Sequence, residues 1–132
     1  MKSEIKYRVP YADTDQMGVV YYANYLEYFE RLRNELLREA GKSYPEIEND
    51  GIILPVIEAH CRYVAPAKYD DLLDICGWVE EAKGARIKII CEIRNNGALL
   101  AEGWTIHACV DMRTRRPLRV PEFLSKLSIK TT

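Results

Sequence analysis

The strongest constraint on the fold is a single long amphipathic helix in a chain whose other patterns are those of strands. Residues 23–40 repeat large apolar side chains at helical spacing, and Gly41 follows directly as a helix stop signal. Asn24 with Glu27 is a candidate capping pair. One helix cannot bury this face alone, so it must lie on a sheet. The apolar positions are Tyr25, Tyr28, Phe29, Leu32, Leu36, Leu37 and Ala40.

Strand-like patterns occupy most of the remaining chain. Residues 4–11 predict a first strand that ends near Pro10, and residues 42–52 read as a polar connection. Asn95-Asn96-Gly97 is a strong hairpin signal and Lys83-Gly84 marks a second turn. A basic loop with a short strand is predicted at 111–121, and a helix from Glu122. Further strands are predicted at 53–65, 70–81, 85–95 and 98–110.

The order is one strand, one long helix and then an antiparallel meander of strands. It predicts one α+β domain spanning residues 1–132, in which an antiparallel sheet of about five strands wraps around one central helix. The second face and the edges of such a sheet need cover, so we expect a homodimer or homotetramer.

Composition excludes several classes of protein. The formal net charge is -1, which argues against a nucleic-acid partner. No apolar run is long enough to span a bilayer, and the N-terminus lacks a signal-peptide core, so we expect a cytoplasmic protein. The four cysteines form no C-x-x-C pair and are expected to be reduced and inert. His60-Cys61 and His107-x-Cys109 match no zinc pattern, and we expect neither metal nor cofactor.

The loop before the helix, DTDQMGVVYYANY at 13–25, carries the chemistry. A helix N-terminus has unpaired N–H groups and a positive dipole end, which stabilise an oxyanion. A carboxylate in the preceding loop can attack a carbonyl as nucleophile or activate a water as general base, and both routes stay open. Gly18 lets the loop turn and lets a substrate approach the backbone. For Asp13 we expect a structural role, accepting hydrogen bonds from loop N–H groups.

Residues 11–25, running into Phe29-Glu30-Arg31, resemble the hot-dog fold thioesterases. The resemblance is strongest to the 4-hydroxybenzoyl-CoA thioesterase family, including its Tol-Pal-associated acyl-CoA thioesterase branch. Residues 63–67, 69–71 and 116–121 support it. The resemblance covers nearly the whole chain and implies hydrolysis of acyl-CoA thioesters to free acid and CoA.

Carried over by position, the resemblance implies roles for individual residues. The catalytic aspartate falls on Asp15, and the backbone N–H that polarises the thioester carbonyl falls on Tyr22. Some members of the acyl-CoA branch have histidine there, whereas this chain has tyrosine, as the aromatic-substrate branch does. The acyl-CoA branch also implicates Tyr11, whose alternative role is that of a packed strand aromatic. Glu30 corresponds to a helix-borne glutamate of other hot-dog enzymes, although pairing with Arg31 is the simpler interpretation.

Coenzyme A carries phosphates that cationic side chains bind by charge-assisted hydrogen bonds. Candidates for the phosphates are Lys83, Arg86 and Lys88 at the turn and Arg113, Arg115, Arg116 and Arg119 in the basic loop, with Lys83, Arg86, Arg116 and Arg119 preferred.

Two alternatives to a thioesterase remain on the same fold: a non-catalytic acyl-CoA binding or sensing module, and a hydratase. The hydratase is disfavoured because no histidine lies near Tyr22, while His60 and His107 fall inside predicted strands.

Overall fold

The computed structural model describes residues 2–128, and its dominant elements are one long helix and one five-stranded sheet. A short 3-10 helix at Tyr11–Asp13 follows the first strand. The helices are α1 (Asn24–Ala40), α2 (Tyr44–Asn49) and α3 (Glu122–Ser125). The strands are β1 (Lys2–Arg8), β2 (Ile52–Ile53), β3 (Val56–Tyr63), β4 (Leu72–Lys83), β5 (Arg86–Asn95), β6 (Ala98–Ala108) and β7 (Val110–Asp111).

The main sheet is antiparallel with the order β1-β4-β5-β6-β3. Strands β4, β5 and β6 form a meander, and β1 and β3 are its two edges. At the β5–β6 turn Asn96 and Gly97 have φ angles of 50° and 84°. Positive φ at both positions is what a two-residue hairpin turn requires, and the predicted hairpin is confirmed.

The core lies between α1 and the inner face of the sheet. Strands β4 and β5 alternate buried and half-buried residues along most of their length, which separates an inner apolar face from an outer face. Helix α1 approaches β4 closely at Gly77, where an added Cβ would lie 2.5 Å from Cδ1 of Leu32. The predicted hot-dog architecture, a sheet around one central helix, is confirmed. The buried residues of α1 are Tyr25, Tyr28, Phe29, Leu32, Leu36 and Leu37.

Four details of the prediction are wrong. The polar connection contains α2, which starts with a capping box between Ser43 and Glu46. The predicted strand 53–65 is split at Pro55, because β2 pairs with β7 in a separate two-stranded sheet. Strand β3 pairs with β6 rather than with β4, so the meander covers only three strands. The first predicted strand ends at Arg8, before Pro10.

The ends of other elements agree more closely with the sequence patterns. Helix α1 spans the predicted 23–40 to within one residue. A short strand occurs at β7, and the predicted C-terminal helix begins at Glu122 but is only one turn long. Any continuation of that helix beyond Ser128 lies outside the described residues. Within residues 2–128, no helix has both the length and the apolar character that crossing a bilayer demands.

Candidate active site

Asp13 anchors the loop that precedes α1. Its Oδ2 accepts hydrogen bonds from the hydroxyls of Tyr28, at 2.7 Å, and Tyr7, at 3.1 Å. Its carbonyl accepts from the N–H of Tyr21 at 2.9 Å and from Nδ2 of Asn24 at 3.0 Å. Asp13 is therefore structural, but its carboxylate binds two tyrosine hydroxyls rather than the expected loop N–H groups. Asn24, engaged here, is not the helix cap; Ala23 occupies that position without a side-chain cap.

The two tyrosines that hold Asp13 are stabilised as hydrogen-bond donors. Burial, followed by the Asp13 carboxylate, raises the pKa of Tyr28 and of Tyr7 above the ordinary value. A phenol that resists ionisation keeps its proton for donation over the whole range in which proteins are folded. The two rings also touch, with centroids 5.0 Å apart. Strand β1, helix α1 and the loop are thus fixed to one another at Asp13.

Asp15 is half-buried and sits at the start of a tight turn. Its Oδ1 accepts from the N–H of Met17 at 2.8 Å and, at 3.4 Å, from that of Val19. Gly18 closes the turn with φ of 78°, a conformation that favours glycine. Within residues 2–128, Oδ2 of Asp15 has no hydrogen-bond donor. One oxygen orients the carboxylate and the other is available for chemistry.

The N-terminus of α1 opens on a cleft of about 270 Å³. Among the described residues, the backbone N–H of Tyr22 has no acceptor, so it is available to a ligand. The carbonyl of Tyr22 accepts from the hydroxyl of Tyr63 at 2.9 Å. Asp15 does not line this cleft, but Val19 and Val20 from its turn do. The lining residues are Val19, Val20, Tyr22, Tyr25, Tyr63, Val64, Ala65 and Pro66.

Tyr25 and Tyr63 are site residues that the sequence analysis did not assign. Their rings meet edge to face with centroids 5.0 Å apart, and the hydroxyl of Tyr25 accepts from the N–H of Ala67 at 3.2 Å. Burial and then the nearby thiol of Cys61 raise the pKa of Tyr63 to about 12. Tyr63 lies in a segment that carried the family resemblance, which was the only signal of its place here.

Tyr11 lies in the 3-10 helix and not in a strand, since β1 ends three residues earlier. Its side chain is 77% exposed and contacts the ring of Tyr69 edge to face at 5.8 Å. It does not line the cleft at Tyr22. The alternative interpretation as a packed strand aromatic is therefore wrong.

Glu30 and Arg31 do not form the expected pair. Both are exposed, and the guanidinium of Arg31 lies 4.6 Å from the centroid of the Tyr7 ring. Glu30 instead lines a second cleft between α1 and β3, of about 390 Å³, together with Arg33, Thr105 and others. Burial lowers the pKa of Arg33, which Glu30 partly opposes.

The predicted phosphate-binding residues lie far from the cleft within one protomer. Lys83 pairs with Arg86 at the β4–β5 turn, and the N–H of Val120 donates to the carbonyl of Gly84, which brings the segment of Arg119 alongside. Tyr63, which lines the cleft, pairs with Ala101 of β6, and Ala101 pairs with Ile93 of β5. Ile93 lies seven residues along β5 from Arg86, which is roughly 23 Å at the rise of a strand.

Arg116 belongs to the same end of the molecule, because its carbonyl accepts from the N–H of Asp111 in β7. A single protomer therefore does not bring the cationic residues and Tyr22 together.

The two histidines are remote from the loop, as their strand positions implied. His107 is fully buried between Thr105 and the carbonyl of Leu54, while His60 stacks on Trp104 on the outer face of the sheet. Among residues 2–128, no three His, Cys, Asp or Glu side chains are placed to hold a metal ion.

The fold and this site define a hot-dog thioesterase domain. The model of the thioesterase-like superfamily matches residues 9–127, so the chain belongs to that superfamily. The predicted resemblance to hot-dog thioesterases is thereby confirmed, while assignment to the Tol-Pal-associated branch stays a prediction.

Individual relatives agree with this assignment. The acyl-CoA thioesterase YbgC of Haemophilus influenzae is 37% identical over 116 residues, covering 87% of this chain and 85% of the relative. The DHNA-CoA thioesterase from Staphylococcus aureus has a similar structure, with a TM-score of 0.86 and 33% identity over 90% of this chain and 80% of that one. Protein TT1821 from Thermus thermophilus has a TM-score of 0.91 and 34% identity, covering 98% and 100%.

Proposed function

We propose that this protein hydrolyses acyl-CoA thioesters to free acid and CoA. The observation that carries the proposal concerns Tyr22, which lies two residues before α1. Among the described residues its backbone N–H has no acceptor, and Tyr22 lines an apolar cleft together with Val19 and Val20 from the turn of Asp15. Relatives named as acyl-CoA thioesterases and as a DHNA-CoA thioesterase support this class of substrate.

Tyr22 is proposed to act through its backbone. When a nucleophile adds to the thioester carbonyl, negative charge grows on the oxygen, and the Tyr22 N–H with the positive end of α1 stabilises it. The bond from Tyr63 to the Tyr22 carbonyl helps to fix the orientation of this first turn. Collapse of the adduct breaks the C–S bond, and the departing sulfur takes a proton to give CoA.

Asp15 is proposed as the nucleophile or the general base. As a base, its free Oδ2 takes a proton from water while the resulting hydroxide adds to the carbonyl carbon. As a nucleophile, the same oxygen forms a mixed anhydride that water then hydrolyses. In both routes the N–H of Met17 holds Oδ1 and orients the carboxylate.

A second copy of the chain is proposed to complete the substrate site. Strand β3 is an edge strand that is open on both faces, and Val56, Ile57, Tyr63 and Val64 are each 47–49% exposed. An open edge of this length pairs readily with another strand. Antiparallel pairing of two β3 edges places the Val56 end of the second copy beside the Tyr63 end of the first.

This pairing also places cationic side chains within reach of the cleft. Val56 is in register with His107 of β6, and the neighbouring Ala108 with Arg86, so the Val56 end of a protomer is also its Lys83 and Arg86 end. The CoA phosphates are then bound by cationic side chains of one copy, while the acyl group of the same substrate lies in the cleft of the other copy. These side chains are Lys83, Arg86, Arg116 and Arg119.

The decisive experiment follows release of free thiol from a panel of acyl-CoA substrates for the wild type and Asp15→Asn. Asparagine keeps an oxygen acceptor for the N–H of Met17, so the turn survives, while the ionisable oxygen is lost. We expect kcat to fall about 10²–10⁴-fold with unchanged thermal unfolding. Equal turnover by both proteins rejects the role of Asp15, and binding without turnover by the wild type favours the acyl-CoA sensing alternative. Tyr11→Phe in the same assay tests whether the hydroxyl of Tyr11 takes part in the hydrolysis.

A further inference from the structure

Tyr63 joins two walls of the cleft at the N-terminus of α1. It is the last residue of the edge strand β3, and its hydroxyl donates to the carbonyl of Tyr22 at 2.9 Å. Both residues line the cleft, although 41 positions separate them in the chain. Because the hydroxyl already donates to a backbone carbonyl, its proton is not available for donation to a substrate.

Two backbone hydrogen bonds at the first turn of α1 are long. The N–H of Tyr25 lies 3.3 Å from the carbonyl of Tyr22, and the N–H of Leu26 lies 3.3 Å from that of Ala23. Backbone hydrogen bonds are commonest at about 2.9–3.0 Å, so these two hold the turn only weakly. The shorter bond from Tyr63 therefore adds a support that the turn itself does not supply.

Holding the carbonyl of Tyr22 also holds the direction of its N–H. The N–H belongs to the peptide unit that joins Tyr21 to Tyr22, and the carbonyl belongs to the next unit, so only φ and ψ at one Cα relate the two. The carbonyl of Tyr21 accepts from the N–H of Asn24 at 2.9 Å, which holds the first unit. Tyr63 holds the second unit, and the N–H is thereby fixed in one orientation.

The hydroxyl of Tyr63 is itself well supported. The Tyr63 ring meets that of Tyr25 edge to face, with centroids 5.0 Å apart, and Tyr25 is buried. The next two residues, Val64 and Ala65, donate their N–H groups to the carbonyl of Leu100, at 2.8 and 3.1 Å. A hydroxyl held by a buried ring and by a neighbouring strand can keep a backbone group in a fixed orientation.

We propose, on the basis of the proposed hydrolysis, that Tyr63 is a positioning residue that acts through the Tyr22 carbonyl to aim the Tyr22 N–H at the thioester oxygen. A donor stabilises an oxyanion best when it points at the developing charge before the reaction begins. Without the hydroxyl the Tyr22 peptide is free to turn, and the transition state then loses more stabilisation than the bound substrate does. Burial and the thiol of Cys61 raise the pKa of Tyr63 to about 12, so the hydroxyl remains a donor at neutral pH.

Tyr63→Phe tests this role, because it keeps the ring in the cleft and removes the hydroxyl. Loss of a whole oxyanion donor costs about 10²–10³ in rate, and a donor that is present but poorly oriented should cost less. We expect kcat to fall about 10–30-fold while KM stays within about twofold, with an unchanged circular dichroism spectrum. Tyr44→Phe is the matched control and should keep full kcat, because the hydroxyl of Tyr44 accepts from the backbone N–H of Leu54 and does not line the cleft.

The vibration of the substrate carbonyl separates positioning from a general loss of structure. The probe is the better substrate of benzoyl-CoA and hexanoyl-CoA, isotope-labelled at the carbonyl carbon and bound to Asp15→Asn to slow its turnover. Its carbonyl should absorb at a lower infrared frequency than in water, because the N–H of Tyr22 polarises it. Addition of Tyr63→Phe should make this shift smaller, whereas addition of Tyr44→Phe should leave it unchanged.

The two measurements distinguish failure of the Tyr63 role from failure of the proposed hydrolysis. The role of Tyr63 requires both a lower kcat and a smaller shift, and an unchanged value of either one overturns it while the hydrolysis stands. If the carbonyl shows no shift in Asp15→Asn itself, the N–H of Tyr22 does not polarise it and Tyr63 has nothing to position. If the wild type hydrolyses neither thioester, the proposed function fails for these substrates and the role of Tyr63 fails with it.

Discussion

The hydroxyl of Tyr28 donates to Oδ2 of Asp13 at 2.7 Å, and this bond joins the middle of the loop to the buried face of α1. Tyr28 is fully buried, and Asp13 also receives the hydroxyl of Tyr7 from β1. The aspartate that precedes Asp15 by two positions thus holds the loop in place, while Asp15 is held only by its own turn. A loop that is held rigidly beside a reactive carboxylate helps to keep that carboxylate in the geometry that catalysis needs.

Removing the Tyr28 hydroxyl should therefore destabilise the loop and the fold together. Tyr28→Phe leaves the ring but removes one donor from the half-buried carboxylate of Asp13, and we expect a loss of about 1–2 kcal/mol in the free energy of unfolding by urea. Tyr7→Phe removes the longer bond from a half-buried ring and should cost less. A larger loss for Tyr7→Phe than for Tyr28→Phe would contradict this ranking.

The role of the Tyr22 N–H can be tested by removing it. Tyr22→Pro deletes the donor without breaking a hydrogen bond of α1, because Tyr22 precedes the N-cap residue Ala23, and it should lower kcat about 10²–10³-fold. Tyr22→Phe keeps the N–H and should retain nearly full kcat, which separates the backbone from the hydroxyl. If the proline variant is folded by circular dichroism and still fully active, the carbonyl is polarised elsewhere.

Replacing Lys83 or Arg86 tests whether these side chains bind the CoA phosphates. Lys83→Ala and Arg86→Ala should each raise KM for acyl-CoA about three- to tenfold, because exposed ionic contacts to phosphate contribute modestly. The same acyl group on N-acetylcysteamine lacks the phosphates, and its KM should not change. Lys126→Ala serves as the control for loss of an exposed lysine. An equal rise in KM for both thioesters would show that Lys83 and Arg86 do not act by binding the phosphates.

The local features of the fold could be predicted from the sequence because each depends on neighbouring residues. The span of α1 follows from apolar spacing and Gly41, and the β5–β6 hairpin from Asn96-Gly97. Helix α2 was missed because residues 42–52 are mostly polar. The signal for it was nevertheless local, since Ser43 and Glu46 form a capping box.

Relationships between distant residues could not be predicted in the same way. The order of strands places β3 beside β6 and not β4, and no turn signal encodes that choice. The partners of Asp13 come from β1 and α1, and the distance of Arg86 from Tyr22 depends on strand register. The motif and the resemblance predicted a structural Asp13 and a catalytic Asp15. Only the fold shows that two tyrosine hydroxyls hold Asp13 and that, within residues 2–128, Oδ2 of Asp15 has no hydrogen-bond donor.

His107 makes stability depend on pH in a defined direction. Its ring is fully buried, with Nδ1 2.9 Å from the carbonyl of Leu54 and Nε2 2.9 Å from Oγ1 of Thr105. A neutral ring satisfies both contacts by donating to Leu54 and accepting from Thr105. Burial, reinforced by the charge of Arg33 and opposed by the bond to Leu54, lowers the pKa of His107 from 6.5 to about 4.

Because the unfolded chain binds this proton more readily than the folded one, acid favours unfolding. The contribution to stability is complete above the unfolded pKa of 6.5 and is lost as the pH falls toward about 4. Between pH 7 and pH 5 we expect a loss of about 1–2 kcal/mol from this residue, measured by urea unfolding. His107→Gln should remove most of that pH dependence, even though it lowers stability at neutral pH. His60→Gln, at an exposed site, should leave the dependence as in the wild type, and equal slopes for all three proteins would show that His107 titrates normally.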